Sequence, residues 1–145
     1  ALFLSLACIF YRIKSTKIED MAGLGRVMPL TMAAFVIAGF SLIGVPLTAG
    51  FISKWYLIVA SIEKGWWIIA VLILVSSLLA IVYLWKVIEV AYFKCRAEGS
   101  VSIREAPAAM LIPMWVLVGA NVYFGIDTDA TVGTAMAAAK ALLGG

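Results

Sequence analysis

Apolar positions along the chain gather into four blocks, residues 1–11, 28–62, 66–93 and 106–126, with short polar stretches between them. The blocks are apolar nearly all round rather than striped, which is the pattern of helices surrounded by lipid or by other apolar helices. They predict an all-α fold, a polytopic transmembrane helix bundle. RIKSTKIEDMAGLGR separates the first two blocks, EKG the second and third, and KCRAEGSVSIRE the third and fourth. Residues 127–145 form a tail rich in small side chains, predicted to face outward. Block 1–11 has only roughly half of the about 20 residues needed to span a bilayer. It predicts the end of a helix that begins upstream, and hence a piece of a longer membrane domain.

Block 28–62 is too long for one ordinary span. At ~1.5 Å per residue it would reach roughly 50 Å as a single helix, against a hydrocarbon core of about 30 Å. Near its middle stands GVPLTAG, residues 44–50. Pro46 has no N–H to give the carbonyl of residue 42 and disfavours a helical Val45. Gly44 and Gly50 accept backbone angles that other residues resist. The block therefore predicts a discontinuous helix, two halves joined around residues 44–50. A proline kink in one packed helix is the alternative. A true break at membrane depth needs protein or a water-filled cavity to satisfy the freed backbone groups.

Composition changes this picture little. The chain has 145 residues and is 65% hydrophobic and 13% charged, about half the charge of a soluble domain. It has no histidine, which excludes histidine metal sites and serine–histidine chemistry within it. Cys8 and Cys95 are far apart in sequence, form no CxxC motif and read as free thiols. There is no nucleophile with a base, no phosphate loop, no metal cluster and no basic patch for nucleic acid, so no cofactor is expected. Charge does orient the chain. Arg12, Lys14, Lys17 and Arg26, with Lys94, Arg96 and Arg104, make up seven of the eleven basic residues. The positive-inside rule puts the loops 12–27 and 94–105 in the cytoplasm and the C-terminus outside, in the cell inner membrane. Trp66 and Trp67 then sit at the outer interface.

The candidate chemistry lies in charges inside the spans. Lys54 is the only charged residue between Met32 and Ile62, roughly 12 Å in from the end of its half-helix. An ammonium there costs at least about 2.5–3.5 kcal/mol. Desolvation favours the neutral amine, and a lysine whose two charge states are close in energy can take and release a proton. A structural lysine paired with a carboxylate on another helix is the alternative. Lys86 and Glu89 share a face of the third block, near its cytoplasmic end, and Tyr83 lies one turn earlier. These three read either as a local ion pair with a neighbour or as part of a proton path. Asn121 reads as an interhelical hydrogen bond.

The stretch MPLTMAAFVIAGFSLIGVPLTAGFISKWYLI resembles the broken helix of the antiporter-like subunits, shared by respiratory complex I and the Mrp-type multisubunit Na⁺/H⁺ antiporters. Gly44, Val45, Pro46, Gly50, Phe51 and Lys54 carry the resemblance. SSLLAIVYLWKVIEVAYF, by its wording, is most similar to the D-type proteins of the Mrp antiporters. The resemblance implies the eleventh to fourteenth helices of the family's membrane domain, with Lys54 as terminal proton carrier of a buried relay. It implies other membrane subunits and the upstream part of the domain as partners, the bilayer as surroundings, and protons, with Na⁺ as second candidate, as the ions moved. A cation/proton antiporter subunit is the first reading. A proton-pumping subunit of a NADH–quinone oxidoreductase or related redox complex is the second, and a non-transporting membrane scaffold is the third.

Overall fold

The computed structural model describes residues 1–95 and 103–143. Arg96, and with it the middle of the loop 94–105, lies outside the described residues. The chain runs through helix α1 (Leu2–Ile13), a 3₁₀ turn (Glu19–Met21), the single turn α2 (Leu24–Val27), and the half-helices α3 (Pro29–Ile43) and α4 (Ala49–Glu63). It continues through α5 (Trp67–Phe93), α6 (Ala108–Ile126) and α7 (Asp129–Leu143). No strand occurs among the described residues. The architecture is all-α, as expected, and the helix is broken between Ile43 and Ala49.

The polar stretch before α3 is more ordered than its sequence suggests. Residues Glu19–Val27 and α3 meet at a bend of 109°. The tail after Ile126, read only as a small-residue segment, carries α7. Alanine is the best helix former, and Ala135, Ala137, Ala138 and Ala139 account for a helix with no strong apolar stripe.

Helix α3 is the centre of the bundle, packed against α1, α4, α5 and α6. Cys8 and Ile9 of α1, Met32 and Phe35 of α3, Leu84 of α5, and Met114 and Val118 of α6 are buried in one cluster. The outer faces are apolar: Trp67, Ile68, Leu72, Leu78 and Val82 of α5 are each more than half exposed. In water such a surface would drive aggregation, whereas lipid tails accept it at no cost. Helices α5 and α6 are long and apolar enough to cross a membrane on their own. Both cysteines are free, Cys8 in the core and Cys95 exposed.

One contact fixes the first turn of α3. Its first N–H groups have no partner within the helix. The carboxylate of Glu105, just before α6, accepts from Leu30 N at 2.7 Å and from the Thr31 hydroxyl at 2.8 Å. An anion at a helix N-terminus is favoured by the orphan N–H groups and by the helix dipole. Arg12 of α1 donates to the backbone carbonyl of the same Glu105, which ties α1, α3 and the start of α6 together.

Candidate functional site at the helix break

Removing the N–H at residue 46 has a local consequence. In an unbroken helix Pro46 would serve the carbonyl of Leu42, and Leu47 that of Ile43. Pro46 cannot donate, and Leu47 turns away with φ 76°, a left-handed conformation that costs a non-glycine residue roughly 1–2 kcal/mol. Both carbonyls are left open. Lys54, one and a half turns into α4, fills them: its Nζ donates to Leu42 O at 2.6 Å and to Ile43 O at 3.0 Å. Its third donor goes to the Ser77 hydroxyl of α5 at 2.8 Å.

The ammonium thus has three donors and three acceptors, none of them a carboxylate. It also sits at the negative end of the α3 dipole. Hydrogen bonds to charged groups contribute about 1.5–3 kcal/mol each, which is enough to offset the ~2.5–3.5 kcal/mol cost of a charge at this depth. Among the described residues, no acidic side chain pairs with Lys54.

Gly44 ends α3 with φ 92°, the left-handed cap that favours glycine. Its missing side chain also leaves room for the lysine, whose Cδ lies 3.1 Å from where a Cβ would stand. The second half-helix is capped in return. Ser41 Oγ of α3 accepts from Gly50 N at 3.2 Å and donates to Asn121 Oδ1 of α6 at 2.8 Å. The two halves therefore terminate one another, Lys54 of α4 on the end of α3 and Ser41 of α3 on the start of α4. A Cβ on Gly50 would stand 1.9 Å from Ser41 O. The bridge itself rests on α6, where Gly125 lets the backbone of Leu47 and Thr48 approach.

Of the residues singled out in the sequence, Gly44, Pro46, Gly50 and Lys54 meet in this one site. Tyr83, Lys86 and Glu89 do not. They are exposed further along α5, and no ion pair joins Lys86 to Glu89 among the described residues. Ser41, Ser77 and Gly125 belong to the site and carried no sequence signal beyond being small. Asn121 makes the interhelical bond expected of it.

Residues 1–80 match the family described as NADH:quinone oxidoreductase/Mrp antiporter, transmembrane. NADH-quinone oxidoreductase subunit N of Desulforudis audaxviator is 43% identical over 125 residues, 78% of this chain and 25% of the relative. A chain of the archaeal membrane-bound sulfane sulfur reductase superposes with a TM-score of 0.77 at 35% identity, over 86% of this chain and 21% of that one. A chain of the Mrp complex of Dietzia sp. superposes with a TM-score of 0.78 at 20% identity, over 90% of this chain and 32% of that one, a likeness of fold. The chain spans about a quarter of the length of the curated relatives it matches. With the broken helix in place and more than half of its residues matched, the chain belongs to the NADH:quinone oxidoreductase/Mrp antiporter transmembrane family, as an antiporter-like integral membrane subunit.

Proposed function

We propose that this chain carries the Lys54 end of a proton relay in the membrane arm of a redox-driven complex, of the NADH–quinone oxidoreductase kind. The observation that carries the relay is the ammonium of Lys54 lodged in the break, with no carboxylate on it among the described residues. A group held only by neutral partners can lose its proton without stranding a buried opposite charge. The redox setting is favoured over the cation antiporter that the sequence wording put first. The 43% relative is named a NADH-quinone oxidoreductase subunit and the 35% structural neighbour is a respiratory reductase. The Mrp likeness stands at 20% identity. Tyr83, Lys86 and Glu89 remain candidates for a cytoplasmic approach to the relay. The partners are the other membrane subunits of such a complex, in the cell inner membrane.

Purification of the complex from its native membrane tests the setting. Flavin- and iron–sulfur-containing subunits are expected with this chain, and proton movement in reconstituted vesicles is expected to follow oxidation of an electron donor. Proton movement driven by an imposed Na⁺ gradient without any donor would return the antiporter reading.

From the basic residues they carry, we also propose that the loops 12–27 and 94–105 face the cytoplasm. In a Cys95→Ser background, a membrane-impermeant thiol reagent added outside is expected to label Lys64→Cys and not Lys17→Cys. The opposite pattern inverts the topology.

A further inference from the structure

The three partners of Lys54 are not equivalent. Leu42 O and Ile43 O are carbonyls and can only accept. They serve the ammonium and have no hydrogen to give a neutral amine. Ser77 Oγ both accepts and donates. We infer that Ser77 is the residue that keeps Lys54 in place in both of its charge states, by turning its hydroxyl hydrogen toward Nζ when the lysine gives up its proton. The inference rests on the relay proposed above and deepens it.

The geometry around Ser77 makes the turn inexpensive. With the ammonium as donor, the Ser77 hydroxyl hydrogen is left to Ile73 O, one turn back in α5, at 3.2 Å. That carbonyl is already well supplied. Ser76 Oγ donates to it at 2.7 Å, and the helical N–H of residue 77 points at it as well. A carbonyl oxygen has two lone pairs, so three donors compete for two places and the Ser77 hydrogen holds the longer hydroxyl bond. When Nζ turns the N–H that faced Ser77 to water of the relay, gives up that proton and turns back, the amine keeps two N–H groups for Leu42 O and Ile43 O, and its one lone pair faces Ser77 Oγ. The Ser77 hydrogen leaves Ile73 O and takes that lone pair. No covalent bond at Ser77 changes, Ile73 O stays satisfied by its remaining donors, and Nζ keeps the same oxygen as its neighbour. Without the hydroxyl, the neutral amine has an unfilled lone pair and a weaker hold on its position, so it is less often where the returning proton finds it.

Ser77 is thus a positioning residue for the lysine, and the test separates this from a role in packing. Donor-driven proton transport is measured in vesicles carrying the assembled complex, for Ser77→Ala, Ser77→Cys, Ser77→Thr, Ser76→Ala and Lys54→Ala. One neutral hydrogen bond converts to a loss of about three- to tenfold in rate. That loss is expected for Ser77→Ala and for Ser77→Cys, whose thiol has nearly the same shape but is a weak donor. Ser77→Thr keeps the hydroxyl and is expected to restore the rate. Ser76→Ala removes the competing hydroxyl from Ile73 O without touching Lys54, so the Ser77 hydrogen is held there more firmly and a loss smaller than that of Ser77→Ala is expected. Parental transport in assembled Ser77→Ala or Ser77→Cys, or a threonine variant as slow as the alanine one, overturns the inference while the relay stands. Parental transport in Lys54→Ala overturns the relay and the inference together.

Discussion

Lys54→Ala is expected to stop donor-driven proton transport while the complex still assembles. The substitution removes the only titratable group in the break among the described residues, so the path loses its carrier and not merely a fraction of its rate. The stability effect is expected to be modest by comparison. Two carbonyls lose a charged donor, but the charge whose burial cost about 2.5–3.5 kcal/mol goes with it. This is the difference between deleting one partner of an ion pair, which strands the other, and deleting a charge held by neutral groups. Lys54→Met fills more of the space and is expected to assemble at least as well while remaining inactive. Lys54→Glu would direct a carboxylate at two carbonyl oxygens at the negative end of α3, so little transport is expected from it. The measurement is proton uptake in vesicles, with assembly followed on native gels. An alanine variant that assembles and pumps at the parental rate would make the lysine a structural cap.

Gly50→Ala is expected to act the other way round, through the fold. Its Cβ would fall 1.9 Å from the backbone carbonyl of Ser41. A flexible side chain could swing aside, but a backbone oxygen at the end of a packed half-helix cannot do so without moving α3 against α4. Overpacking of this kind costs about 1–3 kcal/mol, and the displacement also pulls Gly50 N from Ser41 Oγ and Lys54 from its carbonyls. Less assembled complex, a lower midpoint of thermal unfolding in detergent and reduced transport are expected together. Gly119→Ala is the control: nothing lies within 4 Å of a Cβ there, and alanine improves a helix interior. Equal stability of the two variants would show that the halves of the broken helix do not abut as described.

The features of the site that were legible in the sequence are those that act through the backbone or through isolation. Pro46 removes a donor wherever it stands, and Gly44 permits a left-handed cap whatever surrounds it, so the break could be read without a partner in view. Lys54 stood out because nothing else in its block is charged. What was not legible depends on which helix face lies where. Ser77 is one of two adjacent serines in an apolar run, and only packing decides that it and not Ser76 meets the lysine. Ser41 and Gly125 are small residues among many. Glu105 reads as one more charge in a polar loop until the fold brings it to an N-terminus 75 residues away in sequence. The driving reaction was not legible either, since the residues of the break are equally compatible with either energy source.

The two ends of α3 are completed at very different times as the chain is made. The end at the break closes with Lys54, 11–12 residues further on, a short loop with little closure entropy. The other end waits for Glu105, which leaves the ribosome only after all of α5 has followed. Until then Leu30 N and Thr31 N are without the carboxylate that accepts from them in the finished fold. Delivery of α6 brings that carboxylate, and with it Asn121 for Ser41 and Gly125 for the bridge. Insertion of α6 is thus the step that turns a hairpin of two short helices, tied at the lysine, into a fixed element of the bundle. A chain truncated after α5 would keep Lys54 on its carbonyls and on Ser77, but would lack Glu105, Asn121 and Gly125, which fix the two half-helices from α6 and the residues before it.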